Sequence, residues 1–166
     1  MQKKRLKILT AVVLVLLLAL LAAGCGAASI PKPQPTQGAK TVTVTGSCDL
    51  EIEDNIIIVS GETDLIDGAL LHVSVVSQDG MIVDSVKLTK SRDTVEQRFI
   101  ITEEKYGDSV KTITGFIVCA PSLYGAQPQA VYDAYGKKFE NIQGDFVWND
   151  NGIIVLFASE TVEFAR

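Results

Sequence analysis

Between residues 41 and 53 the side chains alternate without a break. Val42, Val44, Cys48, Leu50 and Ile52 fall in one phase, with Gly46 among them, while Thr41, Thr43, Thr45, Ser47, Asp49, Glu51 and Glu53 fall in the other. A helix repeats its apolar positions at three and four, so a period of two demands an extended strand with one face buried. Gly46 marks a place where such a strand bends. A half-buried strand needs others to pair with, and the rest of the chain supplies them.

Further strands are expected over 56–60, 70–77, 81–89, 94–102, 111–120, 146–148, 153–158 and 161–164, each rich in β-branched or aromatic residues. Turn signals separate them: Asp54-Asn55, Gly61, Gln78-Asp79-Gly80, Pro121 and Asn149-Asp150-Asn151-Gly152. The Asp79-Gly80 and Asn151-Gly152 pairs each predict a hairpin. One stretch argues for helix, with Pro128 at its first position, Val131 and Tyr135 four apart, and Gly136 to end it. Many short strands with regular turns predict a β-sandwich over 41–166.

The N-terminus has a different character. Lys3, Lys4, Arg5 and Lys7 precede an apolar run over 8–21, and the small residues Ala22, Ala23 and Gly24 lead to Cys25. That order is the one of a secretory signal. The 14-residue run is shorter than the roughly 20 residues of a permanent membrane-spanning helix. Leu21-Ala22-Ala23-Gly24-Cys25 resembles the lipobox of bacterial lipoproteins. Ala22 stands where that family favours Leu. The resemblance implies that 1–24 is removed as a signal peptide and that Cys25 carries diacylglycerol, with palmitate as a further acyl group. The protein would then sit on the extracytoplasmic face of the cell membrane, lipid-anchored, since two or more acyl chains anchor stably where one does not. Residues 25–40 hold three of the five prolines and no apolar periodicity, so they are expected to form a flexible, partly extended linker.

The frame Gly61-Glu62-Thr63-Asp64-Leu65, then Asp67-Gly68-Ala69-Leu70-Leu71, a strand, Asp79-Gly80 and another strand is similar to the opening of immunoglobulin-like or transthyretin-like domains of bacterial surface proteins. Gln127-Pro128 and Tyr135-Gly136 fit lipoproteins of the same kind. The likeness covers about 56–158 and rests on turn signals. It implies an all-β, immunoglobulin-like β-sandwich and no particular activity.

Net charge is −5 for the whole chain; residues 1–24 carry four cations and no acid, so the remainder carries −9. Such a domain has no basic footprint for nucleic acid. Its only histidine, His72, shares a strand face with Leu70, Ser74 and Val76. A serine triad would have to use it. Gly107-Asp108-Ser109 resembles the nucleophile block of GDS-type esterases, whose histidine lies far downstream; none follows residue 72 here, so a turn is expected. Asn149-Asp150-Asn151-Gly152 partly resembles a calcium loop, but Val147 stands where the ligand spacing needs Asp. Glu62, Asp64 and Asp67 would suit a weak calcium ion or a solvated loop, and the solvated loop is expected. Cys48 and Cys119 both lie in apolar phase on separate strands, which allows either a disulfide or two buried thiols. Tyr124, Tyr132, Tyr135, Trp148 and Phe157 are expected mostly in the core, with a partner surface as the alternative.

No catalytic residue, metal ligand or cofactor is therefore assigned. The residues favour a non-enzymatic binding or structural module whose partner is an envelope protein, a peptide or a wall component. A small-ligand or metal-binding accessory lipoprotein is the alternative.

Overall fold

The computed structural model describes residues 40–122, 125–149 and 152–164. The expected signal, Cys25 and all but the last residue of the expected linker fall outside them, as do Tyr124 and the middle of the turn after Trp148. The described chain is an all-β sandwich with one short helix. Its strands are β1 Val42–Thr43, β2 Asp49–Glu53, β3 Ile56–Glu62, β4 Leu70–Ser77, β5 Ile82–Thr89, β6 Thr94–Ile100, β7 Thr112–Cys119, β8 Ile142–Gln143, β9 Val147–Trp148, β10 Ile154–Ala158 and β11 Val162–Glu163; the helix α1 is Gln129–Tyr135.

One sheet has the order β2-β3-β6 and the other β5-β4-β7-β10-β9, with β11 also on β7. All of these pairings are antiparallel. The partition sets the first, second and fifth long strands against the third, fourth, sixth and seventh. The stretch between β7 and β10 is enlarged here to hold α1, β8 and β9.

The core lies between the two sheets. Ile57 and Val59 of β3 meet Leu71, Val73 and Val75 of β4 and Ile113 and Ile117 of β7, all almost fully buried. Gly115 sets the spacing at the centre. A Cβ there would lie 3.2 Å from both Val59 methyls and 3.3 Å from Leu50 Cδ1, so a side chain would push the sheets apart.

The alternating stretch at 41–53 is not the single bent strand its pattern predicts. It breaks into β1, a lone bridge from Gly46 to Thr63, and β2. β1 leaves the β2 sheet and pairs in parallel with β8, a strand with no sequence signal of its own. Gly46 permits the crossing, since a Cβ there would meet the Glu62 carbonyl and lie 2.6 Å from the Phe157 ring. Ile52 keeps the inward parity yet is 36% exposed, because β2 is an edge strand and Ile52 lies near its end.

The helix closes the end of the sandwich where β4 begins and β7 finishes. Pro128 is its N-cap rather than its first helical residue, and Gly136 ends it at φ +85°. Val131, Tyr135 and Phe139 are fully buried beneath it. Ile66 donates its N–H to the Tyr135 hydroxyl at 2.7 Å, which ties the helix to the 63–69 loop. Gln127 fills the gap where β4 and β7 part. Its Oε1 accepts from Leu70 N at 2.8 Å, and its Nε2 donates to Leu70 O at 2.9 Å and Ala120 O at 2.8 Å. The side-chain amide thus stands in for one more rung of the ladder.

Candidate interaction surface

The acidic loop is occupied by its own contacts. Asp64 accepts from Thr45 N and Thr45 Oγ1, both at 2.8 Å. Lys90 reaches Asp67 at 3.0 Å and Asp93 at 3.3 Å; its side chain is 2% exposed while the two carboxylates are 73% and 90% exposed. Lys90 is therefore buried, and the two exposed carboxylates pair with its ammonium from the solvent side. Beside this staple lies an open hollow of about 590 Å³, lined by Thr45, Ser47, Glu62, Thr63, Asp64 and Asp93. No group of three or more histidines, cysteines or carboxylates placed to hold a metal occurs among the described residues.

Gly107, Asp108 and Ser109 lie in a turn-rich loop between β6 and β7, without the strand-to-helix setting of a hydrolase nucleophile. The Ser109 carbonyl accepts from Gln78 Nε2 at 2.9 Å. β9 and β10 pair as the expected hairpin, with Ile154 opposite Trp148.

Cys48 and Cys119 are free, buried thiols, so the disulfide allowed by parity is not formed in this structure. Cys48 precedes β2 and sends its Sγ to the Gly115 carbonyl at 3.5 Å. Cys119 ends β7, four residues beyond Gly115, where Gln127 Nε2 approaches its Sγ at 3.7 Å. At the rise of a strand those four residues span about 13 Å. Across the core from Gly115 stands Val59 of β3. Burial pushes both thiols up to about 12, with Asp49 adding to the effect at Cys48. Both are protonated and unreactive at neutral pH.

His72 is also buried, on the outward side of β4. Burial first and the neighbouring Lys87 second hold its imidazole below the ordinary value. Of the five aromatics singled out in the sequence, Tyr135 and Phe157 are core. Tyr132 donates its hydroxyl to the Pro121 carbonyl at 2.7 Å. Trp148 is 53% exposed.

The position of Trp148 draws attention to the outer face of the large sheet. Strand parity turns Leu71, Val73, Val75, Ile117, Val155 and Phe157 inward, so their neighbours point out. Register then arranges the outer face in rows. Trp148 stands beside Ile154. The next row is Leu156, Val118, His72 and Lys87. After it come Ala158, Phe116, Ser74 and Ser85, and then Thr114, Val76 and Ile82. Seven of these positions are large and apolar, of which Trp148 and Ile82 are exposed, four are half-buried and Val118 is buried. Residues 25–166 carry −9, yet these five strands present no Asp or Glu in this phase. The one acid of the same phase nearby is Glu163 of β11, beside Thr112 at the far end.

Single positions on this face looked unremarkable in sequence, because a strand buried on both sides also reads as continuously apolar. The signal was the run of apolar residues in both phases of β7 and β10.

The chain matches no family model, no curated protein and no solved structure in the comparisons made with each.

Proposed function

We propose that this chain is a lipid-anchored lipoprotein of the extracytoplasmic membrane face, and that its sandwich works as a non-enzymatic binding module through the outer face of the large sheet. One observation carries the binding part: Trp148, Ile154, Leu156, Phe116, Val76 and Ile82 line an acid-free sheet face that no described helix covers. Trp148 and Ile82 are 53% and 54% exposed and the other four are half-buried; a cluster of this kind on a soluble domain is where a partner commonly docks. Aromatic residues at the centre of such a surface are the usual energetic anchors. The anchor part rests on the order of charge, apolar run and small residues before Cys25.

Two measurements test this reading. Cells grown with labelled palmitate should label the wild-type chain and leave Cys25→Ser unlabelled; equal label in both removes the anchor. A photo-crosslinking residue at position 158, on the apolar face, should give a covalent adduct in intact cells, and one at position 60, on the opposite outer face, should not. No adduct from either position removes the binding face.

A further inference from the structure

A sheet edge is a place where another strand can add, because its outward N–H and carbonyl groups are unpaired. The two sheets end at β2 and β6, and at β5 and β9. Three of these edges are guarded. β9 has two residues. β5 shifts register against β4 between Val75 and Val76, and Asp84 accepts from Ser85 N at 2.9 Å. β2 carries Asp49, Glu51 and Glu53 on its outer face, so a second β2 would set acid against acid. β6 has none of these devices. All seven of its residues, Thr94–Ile100, pair with β3 in one unbroken register.

The ends of that ladder fix the backbone phase of β6. Ile101 N donates to the Asn55 carbonyl at 3.0 Å, and Thr63 N donates to the Asp93 carbonyl at 2.8 Å. Bonded pairs recur at every second residue of an antiparallel ladder. Val95, Gln97 and Phe99 therefore turn their backbone groups toward β3, and Thr94, Glu96, Arg98 and Ile100 turn theirs to the open edge. No described backbone group bonds to these four on that side. Gln97 Nε2 donates to the Arg98 carbonyl at 2.7 Å, a side-chain amide standing where a strand N–H would. Val95 and Phe99 are core, while the Glu96 and Arg98 side chains are each 56% exposed on the outer face and Ile100 is 67% exposed.

Residues 25–166 carry −9, so a contact between two copies has to bring opposite charges of its own. β6 brings them, because Thr-Val-Glu-Gln-Arg-Phe-Ile complements itself when reversed about Gln97. Outward backbone must meet outward backbone, so an antiparallel partner can only pair even-numbered residues with even-numbered ones. Glu96 opposite Glu96, or Arg98 opposite Arg98, joins like charges. Glu96 opposite Arg98 gives two opposite-charge pairs, sets Val95 against Phe99 and Thr94 against Ile100, and uses all seven residues. Registers further along pair fewer residues. In a single copy Arg98 reaches Glu96 of its own strand at 2.9 Å, and pairing exchanges that partner for the one across the axis. We infer that β6 pairs antiparallel with β6 of a second copy about a two-fold axis at Gln97, joining two three-stranded sheets into one. Main-chain bonds supply the affinity of such an addition, and the side chains its register. A two-fold contact closes on itself. It lies on the other sheet from the apolar face and does not depend on it.

The test uses the full-length chain in the cells that make it. On the axis, Gln97 faces Gln97 of the second copy with Cα atoms about 4.5 Å apart, within the range that a disulfide spans. Mild oxidation should therefore link most of Gln97→Cys into a species of twice the mass. Glu51→Cys, exposed on the β2 edge, should give at least tenfold less. Cys48 and Cys119 are buried in both variants. Adding Glu96→Arg to Gln97→Cys sets arginine against arginine and should cut the linked dimer at least tenfold. Adding Arg98→Glu as well restores two opposite-charge pairs and should bring the dimer back to within about twofold. Circular dichroism of each variant confirms the fold. Equal linking from positions 97 and 51 would overturn the inference as chance collision. Linking at position 97 that ignores Glu96→Arg would overturn it, as would a loss that the charge swap does not repair in a folded chain. So would the absence of any dimer from position 97.

Discussion

The two outer faces of the sandwich are built from the same strand geometry and differ in charge: the small sheet carries Asp49, Glu51, Glu53 and Glu96 outward, and β4, β5, β7, β9 and β10 of the large sheet carry none. On the small sheet, β2 alternates inward Leu50 with outward Asp49, Glu51 and Glu53, and β3 and β6 set Ile56, Ile58 and Ile100 beside Ser60, Glu96 and Arg98 on the same outer side. On the large sheet, β10 is apolar in both phases, while β4 and β7 mix Val76, Phe116 and Val118 with His72, Ser74 and Thr114 on the outer side. The shared inner face supplies the stability of the fold. The outer faces are where the chain chooses between water and a partner. An apolar residue on the inner face is explained by the sandwich alone, while Leu156 or Trp148 on the outer face calls for something beyond it.

The largest expected effect lies where the faces share a strand. Leu50 and Glu51 are neighbours pointing to opposite sides of β2. Leu50→Asp should destabilise the domain by about 3 kcal/mol or more, through a charge placed among apolar side chains. Glu51→Lys should change stability by less than about 0.5 kcal/mol. Denaturant melts of the two variants check this, and equal effects would erase the distinction between the faces.

Next comes the join between β4 and β7, which holds the apolar face in register. Gln127→Ala leaves Leu70 N and the carbonyls of Leu70 and Ala120 without the amide, and should cost about 1–3 kcal/mol. Accelerated hydrogen exchange at Leu70, with the centre of β3 unchanged, would locate the loss at that join.

The smallest effect is a pH dependence. His72 titrates lower when folded than its ordinary value. Below that ordinary value, near 6.5, the unfolded chain takes up a proton that the folded chain resists. The stability associated with neutral His72 is therefore complete above that pH and declines as pH falls through the window beneath it. His72→Gln should flatten the melting temperature between pH 7.5 and 5.5 relative to wild type; an unchanged slope would count against the assignment.

The thiols give a qualitative check on the interior. Native protein should alkylate at Cys48 and Cys119 slowly. Protein unfolded without reductant should alkylate at both quickly. Absence of free thiol in the unfolded sample would show that the two are bonded.

Most of the strand plan was legible in the residues. The β4–β5 and β9–β10 hairpins follow from Asp79-Gly80 and Asn151-Gly152, the end of α1 from Gly136, and the phase of β2 from strict alternation. These are local properties, set by a few neighbouring side chains and by backbone sterics. β8 escaped because Ile142–Gln143 is too short to show a period. The transfer of β1 to β8 escaped because it depends on the Phe157 ring and the Glu62 carbonyl standing beside Gly46, both far from it in sequence.

The sequence by itself determined that this chain is all-β, acidic and rich in short hairpins, because turn chemistry and period-two alternation are written within a few residues. Only the tertiary structure decided which apolar phase of β7 and β10 became core and which became surface. A strand apolar in both phases carries no local mark of its outer side. That assignment comes from the sheet packing against it, here β3 and Gly115 on one side and no described element on the other. The same holds for Cys48 and Cys119: parity placed both inside, and the strand assignments set them at different levels of β7.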